Sequence, residues 1–243
     1  MESDSRMLYA HRGASAYAPE NTLAAFERAA QMGASWVEFD IRVTACGELV
    51  IFHDNKLNRT TNGYGRLSHK TYDEVAQLDA GIWFGHDFAN VKVPTLLQTI
   101  AVLQRLKVNA NIEIKPDPKT EKLLITKLAQ ILKAHWPASL EKPLLSCKSL
   151  RCLHLLREWL PDYPLAWVLT RIPLDWQRTV TALELQALHP NYLYLSARRI
   201  KKIKAQFPAL KINAYTVNSR FIAERLFAKG VDAIFTDKPD LLS

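Results

Sequence analysis

An α/β fold, a (β/α)8 TIM barrel carrying a small loop-rich insertion after its second strand, is what this 243-residue sequence predicts. Three observations carry the prediction. Eight short β-rich runs alternate with amphipathic helical stretches along the chain. Neither G-x-G-x-x-G nor G-x-x-x-x-G-K-[ST] occurs, which weakens a nucleotide-binding α/β sheet. Ionisable residues gather at the ends of the early strands while alternate positions stay apolar, as at a barrel mouth. A doubly wound open sheet is the alternative, because periodicity does not reveal closure.

The elements follow in order. MLYAHR (7–12) reads as the first strand, and NTLAAFERAAQMG (21–33) as a helix that stops at Gly33, a natural C′ residue. WVEFDI (36–41) is the second strand, and GELVIFHD (47–54) an extra strand beside the mouth. The rhythm then breaks. Gly63, Gly65, Gly81 and Gly85, half of the chain's eight glycines, fall within residues 54–94, so this stretch reads as an insertion. TLLQTIAVLQRL (95–106) opens with Thr95 and Gln98 at capping-box spacing. The remaining strand candidates are ANIEIK (110–115), PLLSC (143–147), PLAWVL (164–169), YLYLS (192–196), KINAYTV (211–217) and VDAIFT (231–236). SRFIAERLFAKG (219–230) reads as a helix with Ser219 as N-cap and Gly230 at its end. The expected organisation is one catalytic barrel domain over residues 1–243, with residues 54–94 inserted in it.

Composition narrows the functional classes. The first residues, MESDSRMLYA, have no basic and apolar leader pattern, and no stretch approaches the ~18 apolar residues of a membrane span. Cys46, Cys147 and Cys152 match no metal-ligand spacing and suit reduced packing residues. A cytoplasmic protein without a stable membrane anchor is the expectation. The net charge of +8 suits an anionic ligand, nucleic acid or a membrane surface. Its densest cluster, ARRIKKIKAQF (197–207), spaces Ala197, Ile200, Ile203 and Phe207 helically and reads as a solvated helix face. No zinc-finger or RRM signature accompanies it, so no nucleic-acid partner is expected. Oligomeric state leaves no trace in the sequence.

The chemistry concentrates on strand ends. Glu38 and Asp40 lie on one face of the second strand, ~6–7 Å apart along it. Asn111, Glu113 and Lys115 share a face of the next strand, His11 and Arg12 end the first, and His53 and Asp54 end the extra strand. Three clustered carboxylates repel one another, and a divalent cation relieves that repulsion. Without a thiolate, the set suits Mg²⁺ or Ca²⁺. An ion network of Glu38 and Asp40 with Arg12, Arg42 and Lys115 is the equally open alternative. His11 and His53 beside the acids suit an acid/base pair, whereas His69, His86, His135, His154 and His189 read as surface or packing residues. Ser5, Ser68, Ser146 and Ser196 show no nucleophile elbow.

HRGASAYAPENTLAAF, then VEFDI, LVIFHD, NIEIK, AYTVN and GVDAIFTDKPDLL, resembles in order, over residues 8–242, the glycerophosphodiester phosphodiesterase family. The resemblance implies a (β/α)8 barrel with an insertion, one divalent cation, and hydrolysis of small glycerophosphodiesters to glycerol 3-phosphate and an alcohol. Position by position it implies His11 and His53 as the general acid/base pair. Glu38, Asp40 and Glu113 match its metal ligands, and Arg12 and Lys115 its phosphate-holding cations. Ala16, Cys147 and Tyr215 depart from the family's pattern, the last two at strand ends where the leaving alcohol is selected. An alternative within the same chemistry is a lysophospholipase D acting on lipid diesters, with Ile82, Trp83 and Phe84 lining an apolar groove. Two further classes remain, a non-catalytic module sensing a phosphorylated ligand and a basic nucleic-acid binder. The first would have lost a histidine or an acid, and this chain keeps them all.

Overall fold

The computed structural model describes residues 7–242, so the expectations resting on residues 1–6, the leader reading and Ser5 among them, lie outside the described residues. Eight parallel strands close into a ring: β1 (Met7–His11), β2 (Trp36–Val43), β4 (Asn109–Ile114), β5 (Leu144–Cys147), β6 (Leu165–Leu169), β7 (Ala187–Pro190), β8 (Lys211–Ala214) and β9 (Ala233–Thr236). β1 pairs with both β2 and β9, which settles barrel over open sheet. The short β3 (Leu49–Ile51) pairs antiparallel with the end of β2, outside the ring. The helices are α1 (Leu23–Gln31), α2 (Tyr72–Ala76), α3 (Leu96–Leu106), α4 (Glu121–His135), α5 (Leu150–Trp159), α6 (Trp176–Ala182), α7 (Ala197–Gln206) and α8 (Arg220–Ala228).

Strand parity sorts the side chains into two environments. Val37, Phe39 and Ile41 on β2, with Ala110, Ile112 and Ile114 on β4, point outward and pack under the helices in the main core. Each large apolar side chain buried there contributes ~1.5–3 kcal/mol. The alternate positions fill the barrel. Tyr9, Leu144, Ala166, Ala187, Ala233 and Phe235 plug its amino-terminal end, with Tyr9 stacked on Phe235 at 4.7 Å. Above this plug the interior turns polar, with Glu38, Asn111, Ser146, His189 and Asn213 all buried.

Local signals hold where side chain and backbone agree. Thr95 Oγ1 accepts from the Gln98 N–H (3.1 Å) and Gln98 Oε1 accepts from the Thr95 N–H (2.9 Å), completing the capping box. Gly33 adopts φ 83° just past α1. Ser219 occupies the N-cap position of α8, but its side chain makes no capping bond.

One strand is misplaced by the sequence pattern. YLYLS (192–196) alternates like a strand, yet Asn191 Oδ1 accepts from the Leu193 N–H (2.9 Å) and starts a 3-10 turn over Tyr192–Tyr194. The barrel strand is instead Ala187–Pro190, whose histidine and proline mask it. That shift buries His189 inside the barrel, hydrogen-bonded to Asn213 at 3.2 Å.

Val50 of β3 and residues between β3 and α3 form a small core of their own, with Phe52, Leu57, Leu67, Val75, Ala80 and Val93. It rests against the mouth end of β2.

Candidate active site

Register assembles the acids. His11 on β1 lies opposite Glu38 on β2, and Asp40 lies opposite Glu113 on β4. Oxygens of Glu38, Asp40 and Glu113 come within 4.8 Å of one another. Glu38 and Glu113 line a cavity of about 270 Å³ at the carboxyl ends of the strands, together with His11, Arg12, His53, Asn111 and Lys115. All seven residues expected at the site are therefore brought together, although Asp40 is sealed beneath the cavity surface. Glu38 and Asp40 sit mid-strand rather than at the end of β2, because β2 runs on to Val43 to meet β3.

The first strand ends in a sharp turn. Arg12 takes φ 55° and Gly13 φ 82°, and a Cβ on Gly13 would lie 2.7 Å from the Ala25 backbone. Only glycine fits. The turn aims the Arg12 N–H at Glu38 Oε2 (3.0 Å) and the guanidinium at Glu20 Oε1 (2.7 Å). Arg12 Nε lies 3.3 Å from Asp40 Oδ2, an ion pair without hydrogen-bond alignment. Asn21 completes the cradle: its Nδ2 donates to Asp40 Oδ2 (2.8 Å), and its Oδ1 accepts from the Asp40 N–H (3.2 Å).

Each mouth histidine is tethered through Nδ1 to a carboxylate. His11 meets Asp237 Oδ1 at 2.7 Å, and His53 meets Asp54 Oδ1 at 2.6 Å. Ser15 Oγ (2.9 Å) and Asn218 Nδ2 also donate to Asp237. On the other side, Arg59 donates to both oxygens of Asp54 (2.7 and 3.0 Å) and both of Glu20 (2.7 and 2.8 Å). A continuous chain of charge therefore runs His53–Asp54–Arg59–Glu20–Arg12. Burial holds His53 below its ordinary pKa, against the pull of Asp40 and Asp54. For His11, burial opposes protonation, but the Asp237 bond and Glu38 outweigh it and raise the pKa.

The acids are unequally satisfied. Burial works against the charge on Asp40, yet Lys115 and Arg12 hold it ionised far below the usual carboxylate range. Lys115 Nζ lies 3.3 Å from Asp40 Oδ1 and also donates to Glu113. Glu38 lies at the other extreme. Burial first, then Asp40, push its pKa up to about 8. Its Oε1 is buried with no hydrogen-bond partner, as is Asn111 Oδ1. An orphaned carboxylate oxygen beside two more carboxylates, with oxygen donors only, fits a hard divalent cation. The alternative ion network is present only in part. Arg42 turns away from the acids, donating to the His53 carbonyl (2.7 Å) and pairing with Asp117 at 3.3 Å.

The far wall of the cavity is different. Val168, His189, Tyr215 and Thr216 line it with Lys148 at the rim, and Ile82, Trp83 and Phe84 are not among the lining residues. Sequence reasoning left four anchoring side chains without a role: Glu20 and Asn21 of the P-E-N-T run, Arg59, and Asp237 of T-D-K-P. Glu20, Asn21 and Asp237 stood inside stretches that carried the resemblance, whereas Arg59 lies outside them in the 54–94 segment.

The sequence profile of the glycerophosphoryl diester phosphodiesterase family matches residues 11–241. The chain is 32% identical over 236 residues to a glycerophosphodiester phosphodiesterase of Caldanaerobacter subterraneus subsp. tengcongensis, covering 97% of this chain and 96% of the relative. It is 34% identical over 262 residues to one of Bacillus subtilis, covering 99% of this chain and 86% of that relative. A solved Oleispira antarctica phosphodiesterase, in complex with the product sn-glycerol-3-phosphate, superimposes with a TM-score of 0.93 at 35% identity, covering 96% of this chain and 94% of that one.

Proposed function

Because the chain belongs to the glycerophosphoryl diester phosphodiesterase family and is a phosphoric diester hydrolase, we propose that it cleaves small glycerophosphodiesters to glycerol 3-phosphate and an alcohol by histidine acid/base catalysis with one divalent cation. The observation that carries this reading is the pair of carboxylate-tethered histidines flanking the acid cluster.

In this reading Arg12 and Lys115 hold the phosphoryl oxygens, and both retain donors beyond those given to Glu20, Asp40 and Glu113. Glu38, Asp40 and Glu113 hold the cation, Mg²⁺ or Ca²⁺. When bound, that cation supplies Lewis-acid charge to the phosphoryl group. His53, held neutral by burial, takes the proton of the attacking hydroxyl. His11, braced by Asp237, protonates the alcohol oxygen as its bond to phosphorus breaks. The attacking hydroxyl is assigned to the substrate's own glycerol 2-position, because intramolecular attack needs no second molecule to be captured. Water then opens the cyclic phosphate. A 2-deoxy substrate is expected to bind without turning over.

The same proposal treats the chain as one catalytic domain with residues 54–94 inserted, and places it in the cytoplasm. Cys147 and Cys152 are free and buried, the thiol form that a reducing compartment maintains.

The deciding experiment supplies glycerophosphocholine, glycerophosphoethanolamine and a lysophospholipid separately, with Mg²⁺ or Ca²⁺, and follows glycerol 3-phosphate. Release from a glycerophosphodiester, lost in His11→Ala and in His53→Ala, is expected. Cleavage of the lysophospholipid alone would move the substrate to lipid diesters, and no cleavage at all would contradict the reading.

A further inference from the structure

In a (β/α)8 barrel each helix starts at the mouth end, because it runs back against its strand. The large apolar side chains exposed among the described residues respect this polarity without exception. Leu97, Leu123, Leu150 and Phe221 sit in the first turns of α3, α4, α5 and α8. Tyr17, Leu174, Leu193 and Tyr194 lie between a strand and the helix that follows it. Tyr64, Ile82 and Trp83 belong to the 54–94 segment, which is fastened to the mouth by β3 and by Arg59 on Glu20. The loops at the opposite end, which lead from helix to strand, expose none among the described residues. Scattered apolar side chains need no explanation, but confinement of all of them to one face does.

Charge follows the same face on the β6–β8 side. Residues 185–223 contain seven Lys and Arg and no Asp or Glu; Lys204 and Lys211 pair with Asp232 at the opposite end of the barrel, and Arg198, Arg199, Lys201, Lys202 and Arg220 lie in the mouth-end turns of α7 and α8. The exposed Arg198, Lys201 and Lys202 lie in the first two turns of α7, while Ile200 and Ile203 bury the other side of that helix. The most exposed apolar side chains of this side are Leu174 (89%) and Leu193 (68%) on the loops before α6 and α7, and Phe221 (65%) at the start of α8, where Arg225 lies over its ring at 5.3 Å and Glu224 pairs with Arg220. The loops are tied into one surface. Arg171 stacks over the Tyr194 ring at 4.2 Å, and Arg199 donates to the carbonyls of Ile172 (3.2 Å) and Pro173. Asp175 is the one carboxylate adjoining Leu174.

We propose that this face docks reversibly on an anionic lipid bilayer, with Leu174, Leu193 and Phe221 entering the interface while Arg198, Lys201 and Lys202 meet the lipid phosphates. Protruding apolar side chains on a face that also exposes cations match the layering of such a surface, where apolar burial and attraction to anionic lipid add. No helix of the described residues is long and apolar enough to cross a membrane, so the contact is peripheral. Docking turns the barrel mouth toward the bilayer. A glycerophosphodiester carries free hydroxyls where a membrane glycerophospholipid carries acyl esters, so deacylation is the reaction class that supplies it, and that reaction occurs at the lipid surface. The docking proposal stands apart from the identity of the reaction, since it concerns residues outside the cavity.

The test sediments the full-length protein with vesicles of phosphatidylcholine alone and of phosphatidylcholine with one-third phosphatidylglycerol, at low and high salt. Binding to the anionic vesicles at least tenfold tighter than to neutral ones, and lost on adding salt, is expected. The triple variant Leu174→Ser, Leu193→Ser, Phe221→Ser is expected to bind at least tenfold more weakly, with vesicle-free kcat/KM unchanged on a soluble glycerophosphodiester. The charge-reversal variant Arg198→Glu, Lys201→Glu, Lys202→Glu keeps the test valid should the serine variant misfold, and it is expected to lose the same binding. Equal binding to both vesicle types, no binding, or binding that survives in both variants overturns the proposal. So does self-association in sedimentation velocity that the same substitutions abolish, because a second copy of the chain would then cover the face.

Discussion

The two halves of the barrel mouth are built from the same strand geometry and carry opposite chemistry. From β1 to β4 the cavity wall is ionic: His11, Arg12, Glu38, Glu113 and Lys115, with His53 leaning in from the end of β3. From β5 to β8 it is neutral below the rim: Val168, His189, Tyr215 and Thr216. His189 belongs to the neutral half despite its imidazole, because burial pushes its pKa down to about 3. The difference lies in the support beneath each wall. The ionic half rests on carboxylates, amides and Arg59 linked at hydrogen-bond distance, whereas the neutral half rests on isolated pairs such as His189 with Asn213 at 3.2 Å. In the proposed reaction, charge therefore develops and is compensated on one side, and the other side would accept an uncharged part of the substrate.

The comparison breaks most easily at the histidines. His11→Ala and His53→Ala are each expected to lower kcat by roughly 10²–10⁴-fold in steady-state assays. The double variant should be far less than multiplicatively worse, because the proposed mechanism uses the two as one unit. A near-normal rate in either single variant would assign that histidine to structure.

Next in size is Arg59→Ala, which removes the clamp on Glu20 and Asp54 without touching the cavity. A kcat loss of about tenfold with KM little changed is expected, since misplacing a catalytic group by about an ångström costs up to ~100-fold. Arg59→Lys should recover only part of it, because one ammonium does not span two carboxylates in the paired geometry.

A smaller effect belongs to pH. With His53 as the proposed neutral base, the limb of kcat/KM that rises with pH reports its deprotonation and should lie below the ordinary histidine value of 6.5. Asp54 raises that pKa through its hydrogen bond, so Asp54→Asn should move the limb to still lower pH. A shift upward would show that the bond to Asp54 favours the neutral ring.

The smallest expected effect is in the neutral half. Tyr215 Oη donates to the Leu169 carbonyl at 3.0 Å and its ring faces the cavity. Tyr215→Phe should alter KM among different leaving alcohols a few-fold and leave kcat nearly intact, as checked by parallel assays of several diesters.

What the sequence made legible follows from period and locality. Glu38 and Asp40 stood out because period-two alternation places both inside the barrel, and register with His11 and Glu113 then came from β1 and β4 lying on either side of β2. The 192–196 segment misled because Asn191 redirects an alternating pattern into a turn, a local hydrogen bond that hydrophobic period does not encode. Asp237 and Arg59 were hidden for another reason. Asp237 meets His11 across 226 positions of chain, and Arg59 meets Glu20 across 39, so only closure of the ring and folding of the 54–94 segment bring them together. Trp83, expected near the substrate, instead donates from Nε1 to the Ala80 carbonyl at 2.8 Å and lies outside the cavity.

The reading of the ionic half stands or falls on the orphaned oxygen of Glu38 and the divalent cation proposed to meet it. Calorimetric titration of chelator-treated protein with Mg²⁺ and with Ca²⁺, paired with turnover of the same samples, tests that directly. One equivalent of binding, lost or strongly weakened in Glu38→Gln and Glu113→Gln with their folds retained, and activity that returns only as the site fills, is the expected result. Full turnover of the chelated protein, or undiminished binding in both variants, would contradict it.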